Sequence, residues 1–443
     1  MNPRNIRWLY QELPGLVSRG VVSEEVAGQL RAHYGPPPPD AAIGIAKILI
    51  AILGTLLIGS GIILTLASNW DDLGRPARAV LSFLPLLLGQ ALAGYTLWRR
   101  MDSIAWREGA SAFLALSVGA SIALVGQTYH LPGNLANFLF TWLLLGLPLI
   151  YLYRSATVAM LYLIGATGWA IEAQNQGGHA LWYWALLAGA LPFLWMEHRR
   201  DSDAPRNAFL GWVLCLNLCV GLGVSLEKVL PGLWIILYTA MFAAFCLLGR
   251  ESMTGRSGQP FRRIGGIGTV VLALVLTFDF AWNDIGYHYY RGGNARYLEW
   301  VGIADYALVL IALAAVVTLA VRAAGRQEWD ALAWVVSPAL ACAFFSLESF
   351  ESVAGVEELP IFAYNLYLFV LGIAVLRAGV FSGRIATANA GLGILALLFT
   401  FRFFDSDMGI LARGVAFILI GMGFLGANLW MSRRAASNKE IVS

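Results

Sequence analysis

A polytopic bundle of transmembrane helices is the fold class this sequence predicts, and three observations predict it. About fourteen mostly apolar stretches run from Ala42 to Met431, each long enough to cross roughly 30 Å of hydrocarbon as a helix. The composition is 58% hydrophobic and only 13% charged, with a mean hydropathy of +0.67, more apolar surface than a soluble domain carries on so few charges. Basic residues also alternate between successive loops, as expected of a chain threaded back and forth through a bilayer.

The chain begins with a polar segment, Met1–Gly35, that has no apolar core or small-residue cleavage pattern of a signal peptide. Its periodicity predicts two short helices. The first covers about Pro3–Leu13, with Ile6, Leu9, Tyr10 and Leu13 near one face and Pro14 and Gly15 as the stop. Ser23 is placed to N-cap the second, Glu24 and Glu25 suit its first turn, and Gly35 ends it. Pro36, Pro37, Pro38 and Pro39 then form a stiff tether. The organisation is therefore a helical hairpin (1–35), a tether (36–41), a transmembrane domain (42–431) and a tail (432–443). A hairpin this small buries little alone, so it rests on the base of the membrane domain, on a lipid surface or on a cytoplasmic protein partner.

The spans are placed at 43–68, 76–97, 109–127, 135–153, 155–172, 180–197, 208–226, 230–248, 264–282, 302–321, 331–347, 359–376, 385–402 and 409–431. Only Arg154 separates the fourth from the fifth. With the N-terminus inside, 23 of the 30 basic residues fall inside and 7 outside, while the 27 acidic residues divide 13 to 14. The inner face then carries +10 and the outer −7, which predicts cytoplasmic termini and an even span count. The basic residues are accordingly a topology signal and not a nucleic-acid patch.

Three spans end alike. Thr65 to Gly74, Thr277 to Gly286 and Thr400 to Gly409 each place an Asp seven residues after the Thr, followed by an apolar residue and Gly, so that Asp72, Asp284 and Asp407 share one position. Arg78 and Arg413 follow the first and last at equal spacing, and Arg296 follows the middle one after an insertion. Two readings stand: a stop signal that any membrane hairpin needs, or a duplicated two-helix unit running in parallel, as in many transporters.

Ionisable residues inside spans are costly and mark function by default. Glu172, Asp279, Asp305, Glu348, Arg402 and Arg413 lie in or beside the outer halves of their spans, joined by Gln127, Tyr129 and His130. They read either as ordinary boundary polarity or as one cavity open to the outer leaflet. In the second reading Gln127, His130, Glu172, Asp279, Asp305, Arg402 and Arg413 line a substrate cavity. Asp279 and Arg402 each follow a repeat Thr by two residues and would pair if the repeats face each other. The deeper polar groups are Gln90, Asn217, Asn365 and Asn389, and Lys47 lies near the inner end of the first span.

No phosphate-binding glycine loop, HExxH helix or GxSxG elbow is present. Cys215, Cys219, Cys246 and Cys342 all fall inside spans without ligand-spaced His or carboxylate, so neither a metal nor a cofactor is expected. Gly421, Gly423 and Gly426 suit close helix packing.

The stretches Gly15–Glu25, Ala67–Asp72 and Gly126–His130, with Arg402–Asp405, Leu411–Gly414 and Ser432–Arg434, resemble a bacterial family of predicted inner-membrane proteins of unknown function. The resemblance implies an inner-membrane location and carries no activity. Three functions remain open. The first is a transporter or flippase-like protein for a lipid-linked or amphiphilic substrate. The second is an enzyme with a periplasm-facing site, in which His130 would work with Glu172 or Asp279. The third is a non-catalytic scaffold or sensor. Membrane lipid is the common partner, and no nucleic acid is expected.

Overall fold

The computed structural model describes residues 3–34, 73–178, 180–226, 233–251, 258–283, 300–348, 359–404 and a few positions between 414 and 426. Among the described residues every regular element is helical. Two compact units are formed by Met1–Leu81 and Ser82–Ser443.

In the first unit, α1 (Pro3–Ser18) and α2 (Glu24–Tyr34) make the hairpin. Ser23 caps α2 as expected, its Oγ accepting from Val26 N at 3.3 Å. The end of α1 differs from expectation, because the helix continues through Pro14 to Ser18. Pro14 is exposed, so the hydrogen bond it deletes lies on the solvated face. The stop is instead Gly20, at φ +70°, a conformation that costs a glycine little. Leu13 and Ala27 are buried, and the Tyr10 hydroxyl donates to Arg31 O at 3.2 Å. Arg78 closes the turn before the next helix by donating Nε to Leu73 O at 2.8 Å.

The helices that follow are α3 (Arg75–Arg99), α4 (Ile104–Tyr129), α5 (Leu135–Tyr153), α6 (Ala156–Asn175), α7 (Trp182–Arg200), α8 (Pro205–Leu226), α9 (Trp234–Glu251) and α10 (Gly258–Val275). After them come α11 (Asp279–Asn283), α12 (Trp300–Gly325), a 3-10 turn at Trp329–Trp334, α13 (Val336–Glu348), α14 (Leu359–Ser382) and α15 (Ile385–Phe404). Eight of the described helices are long and apolar enough to cross a membrane. Four further predicted spans are helical but shorter, more polar or broken: α7, α9, the α10–α11 pair, and the 3-10 turn with α13. The spans predicted at 43–68 and 409–431 lie outside the described residues, apart from isolated helical positions in the latter. Long apolar side chains such as Leu87, Leu310 and Ile311 stand more than half exposed. On a bundle of this composition such faces are lipid-facing surface, because a soluble monomer does not leave them wet.

Helix contact in hydrocarbon gains nothing from apolar burial as such and depends on close packing. The α14–α15 pair shows this. A Cβ placed on Gly379 would lie 2.2 Å from Ala388 N, and one on Gly391 would lie 2.3 Å from Leu376 N. Close packing was expected of Gly421, Gly423 and Gly426. Yet Gly421 and Gly426 have nothing within 4 Å of such a Cβ among the described residues, and Gly423 lies outside them.

The one-residue turn at Arg154 is real. Arg154 adopts φ 51°, the left-handed conformation that reverses a chain fastest, and Ser155 caps α6 directly by accepting from Val158 N. Glu108 reinforces that helix start from α4: its carboxylate accepts from Ser155 Oγ at 2.6 Å, Thr157 N at 2.9 Å and Ala156 N at 3.1 Å. An anion there meets both the free N–H groups and the positive end of the helix dipole.

Candidate functional site

Of the residues predicted to line an outer cavity, the structure gathers some into two groups. In the first, Asn134 caps α5 by accepting from Asn137 N at 2.8 Å and donates through Nδ2 to Gln176 Oε1 at 2.6 Å. Gln176 Nε2 then donates to Glu172 Oε1 at 2.7 Å. This chain ties the α4–α5 turn to the end of α6. Gln127 and His130 stand exposed at the end of α4, where His130 takes φ 52° as the cap. Gln176 caps the end of α6 one turn after Glu172, and that i,i+4 spacing is the sequence signal for the contact.

The second group forms where a predicted continuous span is broken. Neither proline nor glycine marks the site, yet α10 stops at Val275 and α11 restarts at Asp279. The carbonyls across the break are all engaged. Leu274 O accepts from Thr277 Oγ1 at 2.7 Å, Val275 O from Phe278 N at 3.1 Å, and Leu276 O from Trp282 Nε1 at 2.8 Å. Thr277 O accepts from Arg402 Nη2 on α15. Non-helical backbone at membrane depth is tolerated only where such partners exist. The Arg402 guanidinium also lies over the Phe278 ring at 5.0 Å, and Phe278 meets Phe401 edge-on. Arg402 thus reaches the repeat threonine of the other span and the turn that leads to the exposed Asp279. Asp72, Asp284, Asp407, Arg413 and the Asp305 side chain lie outside the described residues, as do Glu348's side chain and Lys47.

Deeper in the bundle, Asn217 on α8 donates to Leu163 O and Thr167 Oγ1 of α6, and the Tyr183 hydroxyl of α7 donates to Asn217 Oδ1. Three helices are pinned by one amide. Gln90 and Asn389 are exposed, and Asn365 bonds within its own helix. The four cysteines are free, and among the described residues no cluster could hold a metal.

The opposite, arginine-rich end holds what sequence reasoning missed. Glu197, buried at the end of α7, pairs with Arg206 at 2.5 Å, Arg200 at 3.8 Å and Arg154 at 4.0 Å. Asn207 donates to Glu197 O and Asp201 O, tying the α7–α8 turn. Beside this cluster α7, α8 and α10 enclose a cleft of about 280 Å³, lined by Leu194, Trp195, His198, Asn207, Gly211 and Phe261 among others. In the sequence these arginines read as a topology signal, and their number hides the single carboxylate they surround.

These features define a polytopic α-helical membrane protein whose polar chemistry concentrates at the two ends of its helices. More particularly, residues 14–159, about a third of the chain, match the family described as predicted membrane protein (DUF2157), and over that region the chain is similar to it. No curated protein and no solved structure matches the chain.

Proposed function

We propose that this is a transporter or flippase-like protein of the bacterial inner membrane, with cytoplasmic termini, that handles a lipid-linked or amphiphilic substrate from the outer leaflet. The observation that carries the reading is the broken helix α10–α11 with Arg402 on its unwound carbonyl. Discontinuous helices that present backbone and an ionisable group to a substrate recur in transporters, and here the break and Arg402 fall toward the outer ends of their predicted spans, within reach of an outer-leaflet headgroup. The guanidinium is suited to the phosphate of a lipid-linked substrate, and the exposed Phe280 and Phe401 to its chain. An enzymatic reading has less support, since the Glu172 carboxylate is engaged by Gln176.

The test is transbilayer movement of fluorescent phospholipid and polyprenyl-phosphate analogues in proteoliposomes. Wild-type protein is expected to move at least one of them, and Arg402→Gln, compared at equal amounts of folded protein, to slow it at least tenfold. Movement no faster than in protein-free liposomes, or a full rate in Arg402→Gln, overturns the proposal.

A further inference from the structure

The cleft at the arginine-rich end lies away from the broken helix and does not depend on the transport reading. Its wall is apolar: Leu191, Leu194 and Trp195 from α7, Leu210, Gly211 and Leu214 from α8, and Phe261 from α10. At about 280 Å³ it falls just below the range of ligand pockets, about 300–1,000 Å³, so it suits part of one acyl chain rather than a bulky ring system.

Basic residues border its lining in sequence. The positions flanking the lining in sequence are Arg199, Arg200, Arg206, Arg262 and Arg263, with Arg154 brought in by Glu197. Against these stand Glu197, Asp201 and Asp203. Glu197 is already held by three arginines, so a positive excess remains. The Arg199 guanidinium lies over the Trp195 ring at 4.7 Å, which fixes a cation on an aromatic wall of the cleft. Arg262 and Arg263 are exposed beside Phe261.

One lining residue carries an unmet need. Asn207 is 5% exposed, and its Nδ2 is committed to Glu197 O at 2.8 Å and Asp201 O at 2.6 Å, which fixes the amide's orientation. Its Oδ1 is buried without a hydrogen-bond partner. A buried acceptor left unmatched is destabilising, so the site lacks a donor that a ligand would bring.

We infer that this cleft is a binding site for one anionic phospholipid of the arginine-side leaflet. An acyl chain lies along Leu194, Leu210 and Leu214, the phosphate meets Arg199 and its neighbours, and a headgroup hydroxyl donates to Asn207 Oδ1. Phosphatidylglycerol has that combination of charge and hydroxyl, and phosphatidylcholine has neither the net charge nor the donor.

Native mass spectrometry of the full chain, exchanged into detergent with equal phosphatidylglycerol and phosphatidylcholine, tests this. One phosphatidylglycerol per chain is expected to be retained at least fivefold over phosphatidylcholine. Gly211→Leu, which fills the cleft, should abolish the preference, and Arg199→Gln should reduce it severalfold. Leu194→Trp serves as a second filling variant should Gly211→Leu lower the yield of folded protein. Equal retention of the two lipids overturns the site, as does an unchanged preference in the folded filling variants. Displacement by millimolar glycerol phosphate would mean that the headgroup alone is recognised, and would equally reject a lipid.

Discussion

Among the described residues, Arg402 and Glu197 are charged groups that tie helices together, and each is held for a different reason. Arg402 supplies a donor to a carbonyl that a broken helix would otherwise leave bare. Glu197 is almost fully buried, and its charge is tolerable only because arginines surround it. The three pairs are not equal. Arg200 and Arg154 are more than a third exposed and long in reach, so water screens them and they contribute little. Arg206, at 2.5 Å and less exposed, is the partner that matters. Arg206→Ala is therefore expected to destabilise the protein by about 3 kcal/mol, because it strands a buried carboxylate. Arg200→Ala should cost less than about 1 kcal/mol. Thermal unfolding of both variants in one detergent measures the difference, and equal losses would refute the ranking. None of this was legible in the sequence. Position and sign can be read from a chain, but the choice of one arginine among several is made by helix packing.

At the scale of elements, much more was legible. The apolar stretches, the Ser23 cap and the single-residue turn at Arg154 follow from local rules that tertiary contacts did not override. The failures share a cause. Pro14 lies inside α1 because its missing bond faces water, and the α10–α11 break lies between apolar residues because Trp282 and Arg402 satisfy it from elsewhere. The candidate site was legible mainly as a list of costly residues: the i,i+4 spacing of Glu172 and Gln176 is a local signal for their contact, but nothing local tells Gln176 that Asn134 will meet it. The glycines of α14 and α15 belong to the same class of long-range information. Gly379→Leu should force the two backbones apart, since its Cβ would fall on Ala388. A fall in folded yield or in melting temperature of more than about 5 °C is expected, while Gly383→Ala, in an open position at the same hairpin, should be far milder even though its φ is +66°. Comparable losses in the two variants would show that the close approach is not what holds the pair.

For the whole molecule, the asymmetry of basic residues makes a prediction about sidedness. In a cysteine-free background, Ser202→Cys in the α7–α8 turn should resist an impermeant maleimide added to intact spheroplasts, and Asn175→Cys at the end of α6 should react. The reverse pattern would invert the topology. Arg154 bears also on how such a chain is made. With one residue between them, α5 and α6 offer a membrane-insertion machine no loop to hold while the first helix settles. Carrying that arginine through hydrocarbon even briefly costs about 2.5–3.5 kcal/mol on insertion scales. The two helices are therefore expected to enter the bilayer together as a hairpin, with Arg154 kept on one side. Because Glu108 precedes α6 in the chain, the carboxylate that caps the start of this helix has already been made when the helix that needs it emerges, whereas the break at Thr277 waits for Arg402, 125 residues later.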